Sequence, residues 1–234
     1  MVPKESVNTQ INDLDKDAFT ELYGAWAGRS PADAAALMQG YPGVWWVAGG
    51  WAIEAFTGVR RHHEDMDIVV LRADLPALRR HLADRLHAWT ATAGALCPLL
   101  PHNDPEGSAD EVLPAGCGQL WTRRGAAHPW EFDILLDPGT ELEWVYKRDR
   151  SITMPLSSAL WQRDGVAYLA PEIQLLLKAQ GDRPKDRADL AATLPLLDPA
   201  RRDWLRAALH TTLPDHPWLA AIAAEFIAGR DYQA

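Results

Sequence analysis

One segment constrains this chain more than any other: a double glycine, a short apolar stretch, a cluster of histidines and acids, and a second apolar run. It occupies residues 48–71, AGGWAIEAFTGVRRHHEDMDIVVL. The composition of residues 65–71 predicts a strand. Because side chains alternate along a strand, Asp65 and Asp67 should share one face, with the apolar Met66 and Ile68 on the opposite, core-facing side.

Two carboxylates at this spacing repel each other and raise the pKa of one of them unless a cation lies between them. Two arrangements could relieve the repulsion. Arg60 and Arg61 could pair with Asp65 and Asp67 in a purely structural role. Alternatively, the two carboxylates could hold a divalent metal, and ligands that are all oxygen suit Mg²⁺ or Mn²⁺.

A third acid favours the metal. The segment 130–137, WEFDILLD, alternates as a strand does, with Trp130, Phe132 and Ile134 on one face and Glu131, Asp133 and Leu135 on the other. Asp133 therefore stands within an otherwise apolar strand. Magnesium commonly binds one or two carboxylates and completes its shell with phosphate oxygens. The Gly49-Gly50 turn could present backbone N–H groups to such a phosphate.

Strands and helices mix in the first two thirds of the chain, and helices dominate the last third. Besides the strands above, the patterns predict a strand over 44–48, helices over 31–39 and 51–57, the latter ended by Gly58, and a long loop over 98–115. A helix capped by Asp74 should place Leu75, Leu78, Leu82, Leu86 and Trp89 on one face. Further helices should begin at Pro171 and at Asp198-Pro199, and a last one carries Trp218, Ile222 and Phe226.

These patterns predict a mixed α/β (α+β) fold, with a sheet domain over residues 1–170 and a helical domain over 171–234. The net charge of -9 disfavours nucleic acid as the main partner and is compatible with a cationic ligand. The chain shows no signal peptide or membrane-length apolar run, and its two cysteines lack metal-ligand spacing. We therefore expect a cytoplasmic protein, either a monomer or a homodimer, that does not bind membranes.

The order of Gly49-Gly50, a short helix, Asp65-x-Asp67 on a strand and Asp133 on a later strand resembles the nucleotidyltransferase fold of the DNA polymerase beta superfamily. The fuller segment, with Gly58, Arg61 and His63 before the acids, is similar to the antibiotic nucleotidyltransferases that act on aminoglycosides and lincosamides. Residues 168–190, YLAPEIQLLLKAQGDRPKDRADL, also resemble the C-terminal signature of these enzymes. One departure is Trp51, because many members of the superfamily have a serine after the glycine.

The resemblance implies transfer of a nucleoside monophosphate from a nucleoside triphosphate to a hydroxyl, with release of pyrophosphate, and AMP from ATP is the group we expect. It implies that Asp65 and Asp67 hold Mg²⁺ and that Asp133 binds a second metal, acts as the general base, or does both. It further implies phosphate contacts from Gly49, Gly50 and the three cations Arg61, Lys178 and Lys185.

Several of these residues could have a different role. Glu131 could replace Asp133 as the base, bind a substrate amine, or be a solvated strand acid. Lys178 could be a helix-end lysine that reaches solvent, and Lys185 could pair with Asp189 one helical turn away. His62 and His63 could belong to a metal-dependent phosphohydrolase, although His63 fits more simply as an orienting hydrogen-bond partner.

The acceptor is the least constrained part of the prediction. The acids that follow the proposed site elements would suit a polyamine sugar such as an aminoglycoside: Asp104, Glu106, Asp110, Glu111, Asp137, Glu141 and Glu143. A tRNA or protein acceptor, and a non-catalytic nucleotide-binding module, are the rival functions.

Overall fold

The computed structural model describes residues 15–100 and 107–228, with side chains up to residue 223. The Asp104, Glu106 and Phe226 side chains named above lie outside the described residues. The helices are α1 Lys16–Tyr23, α2 Pro31–Met38, α3 Gly49–Thr57, α4 Leu75–Leu82, α5 Ala109–Val112, α6 Leu156–Ala159, α7 Pro171–Ala179, α8 Pro184–Thr193, α9 Pro199–Thr212 and α10 Trp218–Ala228. The strands are β1 Trp45–Val47, β2 Asp67–Leu71, β3 His87–Thr92, β4 Ala95–Pro98, β5 Gln119–Arg123, β6 Phe132–Asp137, β7 Glu143–Val145, β8 Thr153–Pro155, β9 Leu160–Arg163 and β10 Val166–Leu169.

Eight strands form one mixed sheet in the order β4-β3-β5-β6-β2-β1-β10-β9, and β7 and β8 form a separate hairpin. The pairs β2–β6 and β1–β10 are parallel, and the other neighbours are antiparallel. This mixed sheet with flanking helices confirms the predicted fold class.

The central strand β2 is covered on both faces, which accounts for its unbroken apolar run after Asp67. Ile68 and Val70 pack into a core with α2 and α4. Val69 and Leu71 pack into a second core that contains the C-terminal helices. Since Asp67 has the same parity as Val69 and Leu71, it lies on the face covered by those helices.

Helix boundaries follow the local signals. Ser30 and Asp33 form a capping box at the start of α2. Gly58 ends α3 in the left-handed conformation, with φ of 74°. Asp198 accepts a hydrogen bond from the amide of Arg201 and caps α9. The predicted starts of α2, α7 and α9 are therefore confirmed.

Four local predictions are wrong, the first being the long loop over 98–115, since that segment contains helix α5. Strand β2 begins at Asp67, so Asp65 lies in the bend before it. The Asp74 side chain makes no capping hydrogen bond, because a 3-10 turn over Arg72–Asp74 leads directly into α4. Trp89 lies on β3 and not on the face of α4, because α4 ends at Leu82.

The helices after residue 170 share a core with the sheet. Trp46 and Leu169 of the sheet belong to the same buried cluster as Leu205 of α9 and Ile222 of α10. The division into domains at residue 170 stays a prediction. Among the described residues, no helix combines the length and apolar character needed to cross a bilayer.

The shared core predicts one cooperative unfolding transition. Leu205 is fully buried, so Leu205→Ala should lower the free energy of unfolding by about 2–5 kcal/mol. Urea titration followed by both circular dichroism and tryptophan fluorescence should give coincident curves that shift together. Two separated transitions, with only one moved by Leu205→Ala, would show that the helices fold independently of the sheet.

Candidate active site

Strand pairing brings the predicted carboxylates together. Asp67 on β2 and Asp133 on β6 are directly paired in the parallel ladder. Asp65, two residues before Asp67, completes a group in which one carboxylate oxygen of each residue lies within 4.8 Å of the others. We call Asp65, Asp67 and Asp133 the carboxylate triad.

The triad is electrostatically strained without a cation. Burial, and then the neighbouring Asp65, raise the pKa of Asp67 to about 7. Burial raises the pKa of Asp133 well above its ordinary value, and Asp67 and Asp65 add to that rise. Burial also raises the pKa of Asp65. Ionising all three carboxyl groups would place three negative charges close together. A bound divalent cation would relieve that repulsion.

The donor set fits Mg²⁺. The buried Oδ1 atom of Asp133 has no hydrogen-bond partner among the described residues, so it is free to coordinate an ion. All three ligands offer carboxylate oxygen, which Mg²⁺ and Mn²⁺ prefer. Within the described part of the chain, this is the one group of three potential metal ligands, and it includes neither His62 nor His63. The phosphohydrolase interpretation therefore lacks a histidine-based metal site there.

Gly49 and Gly50 allow the start of α3 to approach the triad. Gly49 has φ of 67°, and a Cβ atom at this position would overlap the Asp67 carboxylate. A Cβ atom at Gly50 would overlap the Arg61 guanidinium. The Gly49 amide donates to Oε1 of Gln174 at 2.7 Å, which ties α3 to α7. That amide is therefore engaged within the protein.

A cavity of about 310 Å³ opens beside the triad. It lies over the face of the sheet at the central strands β2 and β6, beside helices α7 and α8. Its walls include Asp65, Asp67, both glycines and Gln174, together with six cationic side chains: Arg61, Lys147, Arg148, Lys178, Arg183 and Lys185. A cavity that joins a carboxylate cluster to an excess of cations matches a metal-bound polyphosphate.

Two of the predicted phosphate contacts belong to a buried charge network. Arg61 donates from Nε and Nη2 to both oxygens of Asp189, each at 3.1 Å. Lys178 Nζ lies 2.8 Å from Asp189 and 3.3 Å from Asp186. Lys178 is thus buried between two carboxylates and does not reach solvent as a helix-end lysine would. Arg61 does not pair with Asp65 or Asp67. The prediction that Arg61 neutralises these two acids in a structural role is therefore wrong.

Lys185 has a different partner from the one the spacing indicated. Its Nζ lies 2.7 Å from Oε2 of Glu64, and this contact lowers the pKa of Glu64. The alternative pair with Asp189 is wrong, because Asp189 is bound by Arg61 and Lys178. The Lys185–Glu64 pair is largely exposed, and such pairs contribute little to stability.

His63 orients an acid, as its simpler interpretation predicted. Its Nε2 lies 2.8 Å from Oε2 of Glu54. Its ring stacks on Trp51 with centroids 4.0 Å apart. Glu54 also accepts from the Arg61 amide at 3.2 Å. Trp51 and Glu54 of α3 therefore hold the loop that leads to the triad.

Glu131 is not brought to the cavity. It is buried and paired with Arg29 and with Arg124, the latter at 3.2 Å. The interpretation as a solvated acid is therefore wrong. None of the described acids predicted to surround a cationic acceptor lines the cavity either: Asp110, Glu111, Asp137, Glu141 and Glu143.

Sequence reasoning missed several residues of the cavity wall, among them two cations on a hairpin. Lys147 and Arg148 lie on the turn between β7 and β8, while Gln174 and Arg183 lie on and beside the C-terminal helices. The pattern of β7 and β8 is too short to predict the hairpin. Gln174 carries a usable signal, since it is a polar residue within the apolar run of α7 and is buried.

A comparison with protein families finds a match over part of the chain. The family described as aminoglycoside-2''-adenylyltransferase matches residues 33–93. This segment contains α3, the glycine pair, Asp65 and Asp67, so the match confirms the resemblance to aminoglycoside nucleotidyltransferases there. No curated protein matches the chain significantly. The family description implies an adenylyltransferase that acts on a small molecule.

The raised pKa values predict a pH-dependent stability. The pKa of Asp67 is 3.8 in the unfolded chain and about 7 in the folded protein. Because ionised Asp67 is disfavoured in the folded state, the metal-free protein should lose stability as the pH rises between these two values. The loss should be on the order of 1–4 kcal/mol. Urea unfolding with a chelator at pH 5 and pH 8 measures it. Asp67→Asn should reduce the loss, while the exposed Asp164→Asn should not. An equal loss in wild type and Asp67→Asn would contradict the strained triad.

The contact at Gly49 predicts a steric effect on metal binding. Gly49→Ala forces a methyl group into the Asp67 carboxylate at a positive φ. We expect Mn²⁺ affinity, measured by calorimetry, to fall at least about tenfold, comparable to the loss of a ligand-orienting group. Gly28→Ala is the matched control, because a Cβ atom there meets nothing within 4 Å. Undiminished Mn²⁺ binding by Gly49→Ala would rule out the close approach.

Proposed function

We propose that this protein transfers AMP from ATP, with Mg²⁺, to a hydroxyl group of a small molecule of the aminoglycoside type and releases pyrophosphate. The observation that carries the proposal is the carboxylate triad beside a cation-lined cavity. The family match over residues 33–93 supports the adenylyl donor and the acceptor class. The cytoplasm, which supplies ATP, is the proposed compartment.

Asp133 is the proposed general base. The acceptor oxygen forms a bond to the α-phosphorus, the bond from that phosphorus to pyrophosphate breaks, and the hydroxyl proton passes to the Asp133 carboxylate. A carboxylate with a raised pKa is a stronger proton acceptor once it is ionised. Glu131, the rival base, is occupied by Arg29 and Arg124.

Asp65 and Asp67 are the proposed metal ligands, with Asp133 contributing its free oxygen. Bound Mg²⁺ would supply charge neutralisation and Lewis acidity at the phosphates. The protein provides alignment: the β2–β6 ladder fixes Asp67 relative to Asp133, and Gln174 fixes the start of α3.

The nucleotide would lie along the cavity with its phosphates towards the cations. Gly50 and Lys185 are proposed contacts, and the exposed Lys185–Glu64 pair can open at small cost. Arg61 and Lys178 support these phosphates through the network with Asp186 and Asp189. The cationic acceptor, by contrast, is supported by the family match and not by the cavity wall.

The proposal is tested by pyrophosphate release from purified protein with Mg²⁺, each of four nucleoside triphosphates and a panel of aminoglycosides and lincosamides. We expect acceptor-dependent release with ATP. Asp133→Asn should lower the rate by at least about a hundredfold, the scale of losing a general base, while triphosphate binding persists.

Glu131→Gln serves as the matched carboxylate control, because Glu131 lies two residues before Asp133 and does not line the cavity. It should leave the rate of release within a few fold of wild type in protein that remains folded. Pyrophosphate release that survives Asp133→Asn but fails in folded Glu131→Gln would reverse the assignment of the base. Triphosphate binding without release for any small-molecule acceptor would overturn the antibiotic assignment.

A further inference from the structure

The six cations of the cavity wall differ in how their charge is balanced. Four of them contact carboxylates: Arg61 with Asp189, Lys178 with Asp186 and Asp189, Arg183 with Asp186, and Lys185 with Glu64. Their charge is largely committed to the protein. Within the described residues, Lys147 and Arg148 have no ion-pair partner, and Arg148 contacts only the Tyr146 ring, 6.0 Å from its centroid.

The turn that carries Lys147 and Arg148 is firmly anchored. Trp144 and Tyr146, which precede it, are buried. The Tyr146 amide donates to the Ile152 carbonyl at 2.9 Å and closes the turn. The Trp144 ring also contacts Trp204 of α9, with centroids 6.4 Å apart. The backbone that carries the two cations is therefore fixed beside the cavity before any ligand binds.

Lys147 lies in the field of the triad without forming a contact ion pair with it. Desolvation at the cavity wall and the neighbouring charge of Arg148 lower the pKa of the Lys147 ammonium, and the charges of Asp133, Asp137 and Asp67 oppose that change. Lys185 on α8 and Arg183 just before it act on Asp65 and Asp67. Cations of the hairpin and of the segment that begins α8 thus both act on the triad, and those on the hairpin are the ones without a carboxylate partner among the residues described.

We propose that Lys147 and Arg148, on the turn between β7 and β8, bind the phosphates of the nucleoside triphosphate. Both side chains are exposed at the cavity wall, so a polyphosphate can pair with them without displacing a protein carboxylate. This inference rests on the proposed function and assigns to the hairpin a role that the resemblance implied for Lys178. Lys178 then maintains the network that holds Arg61, because Asp186 and Asp189 occupy its ammonium.

The test measures ATP affinity by calorimetry in Ca²⁺, without acceptor, for Lys147→Gln, Arg148→Gln and the double variant. Each single variant should weaken ATP binding at least about tenfold, the scale of one charge-assisted hydrogen bond. Lys147→Arg should retain most of the affinity. Inorganic pyrophosphate, used as a second probe, should show the same order of losses.

Arg150→Gln is the matched control, because Arg150 belongs to the same turn but does not line the cavity. It should leave ATP affinity within about twofold of wild type. Thermal unfolding checks that each variant is folded, and Arg148→Gln provides the test if Lys147→Gln is not.

The outcomes separate this inference from the proposed function. Wild-type ATP binding that is unchanged in the double variant would overturn the hairpin as a phosphate site and leave the proposed reaction standing. Equal losses in Arg150→Gln and Arg148→Gln would also overturn it, since only the charge of the turn would matter. Absence of ATP binding by wild type would overturn the proposed function and this inference together.

Discussion

The repulsion among three clustered carboxylates is the constraint on which the rest of the site depends. The parallel pairing of β2 with β6 sets Asp67 beside Asp133, so the backbone keeps the two carboxyl groups close together. Apolar residues cover both faces of β2, and their packing offsets the unfavourable free energy of holding the acids together. The carboxylates are therefore held in an arrangement that favours a cation, which is the preorganisation expected of a metal site.

A second layer of charge surrounds the triad and connects it to the C-terminal helices. Asp189 joins Arg61, which precedes the triad, to Lys178 of α7, while Asp186 joins Lys178 to Arg183. Burial of such a network makes every member sensitive to removal of another, because an unpaired buried charge is costly. The helices after residue 170 thus contribute to the shape of the cavity as well as to the core.

The local sequence predicts the elements that carry the triad, because acids within apolar strands conflict with burial and so stand out. It does not identify the partners of Lys178, Lys185 and Glu131. Most of these partners are more than eight residues away in the sequence and are brought close only by the tertiary fold. Asp164-Gly165 carries a turn signal for the β9–β10 hairpin, with φ of 52° and 77°. Ala93-Gly94, at the turn between β3 and β4, is a weaker turn signal. The apolar spacing that continues from α4 to Trp89 therefore predicts a helix where the structure has strand β3.

The most direct test of the account is a crystal structure with Mn²⁺ and a non-hydrolysable ATP analogue, with anomalous diffraction used to locate the metal. The account predicts an anomalous peak coordinated by Asp65 and Asp67, with Asp133 Oδ1 in this ion's shell or in that of a second ion, at metal–oxygen distances of roughly 2.0–2.2 Å. The analogue's phosphates should complete the shell. A bound analogue with no metal at the triad, or metal held elsewhere in the cavity, would contradict the central claim.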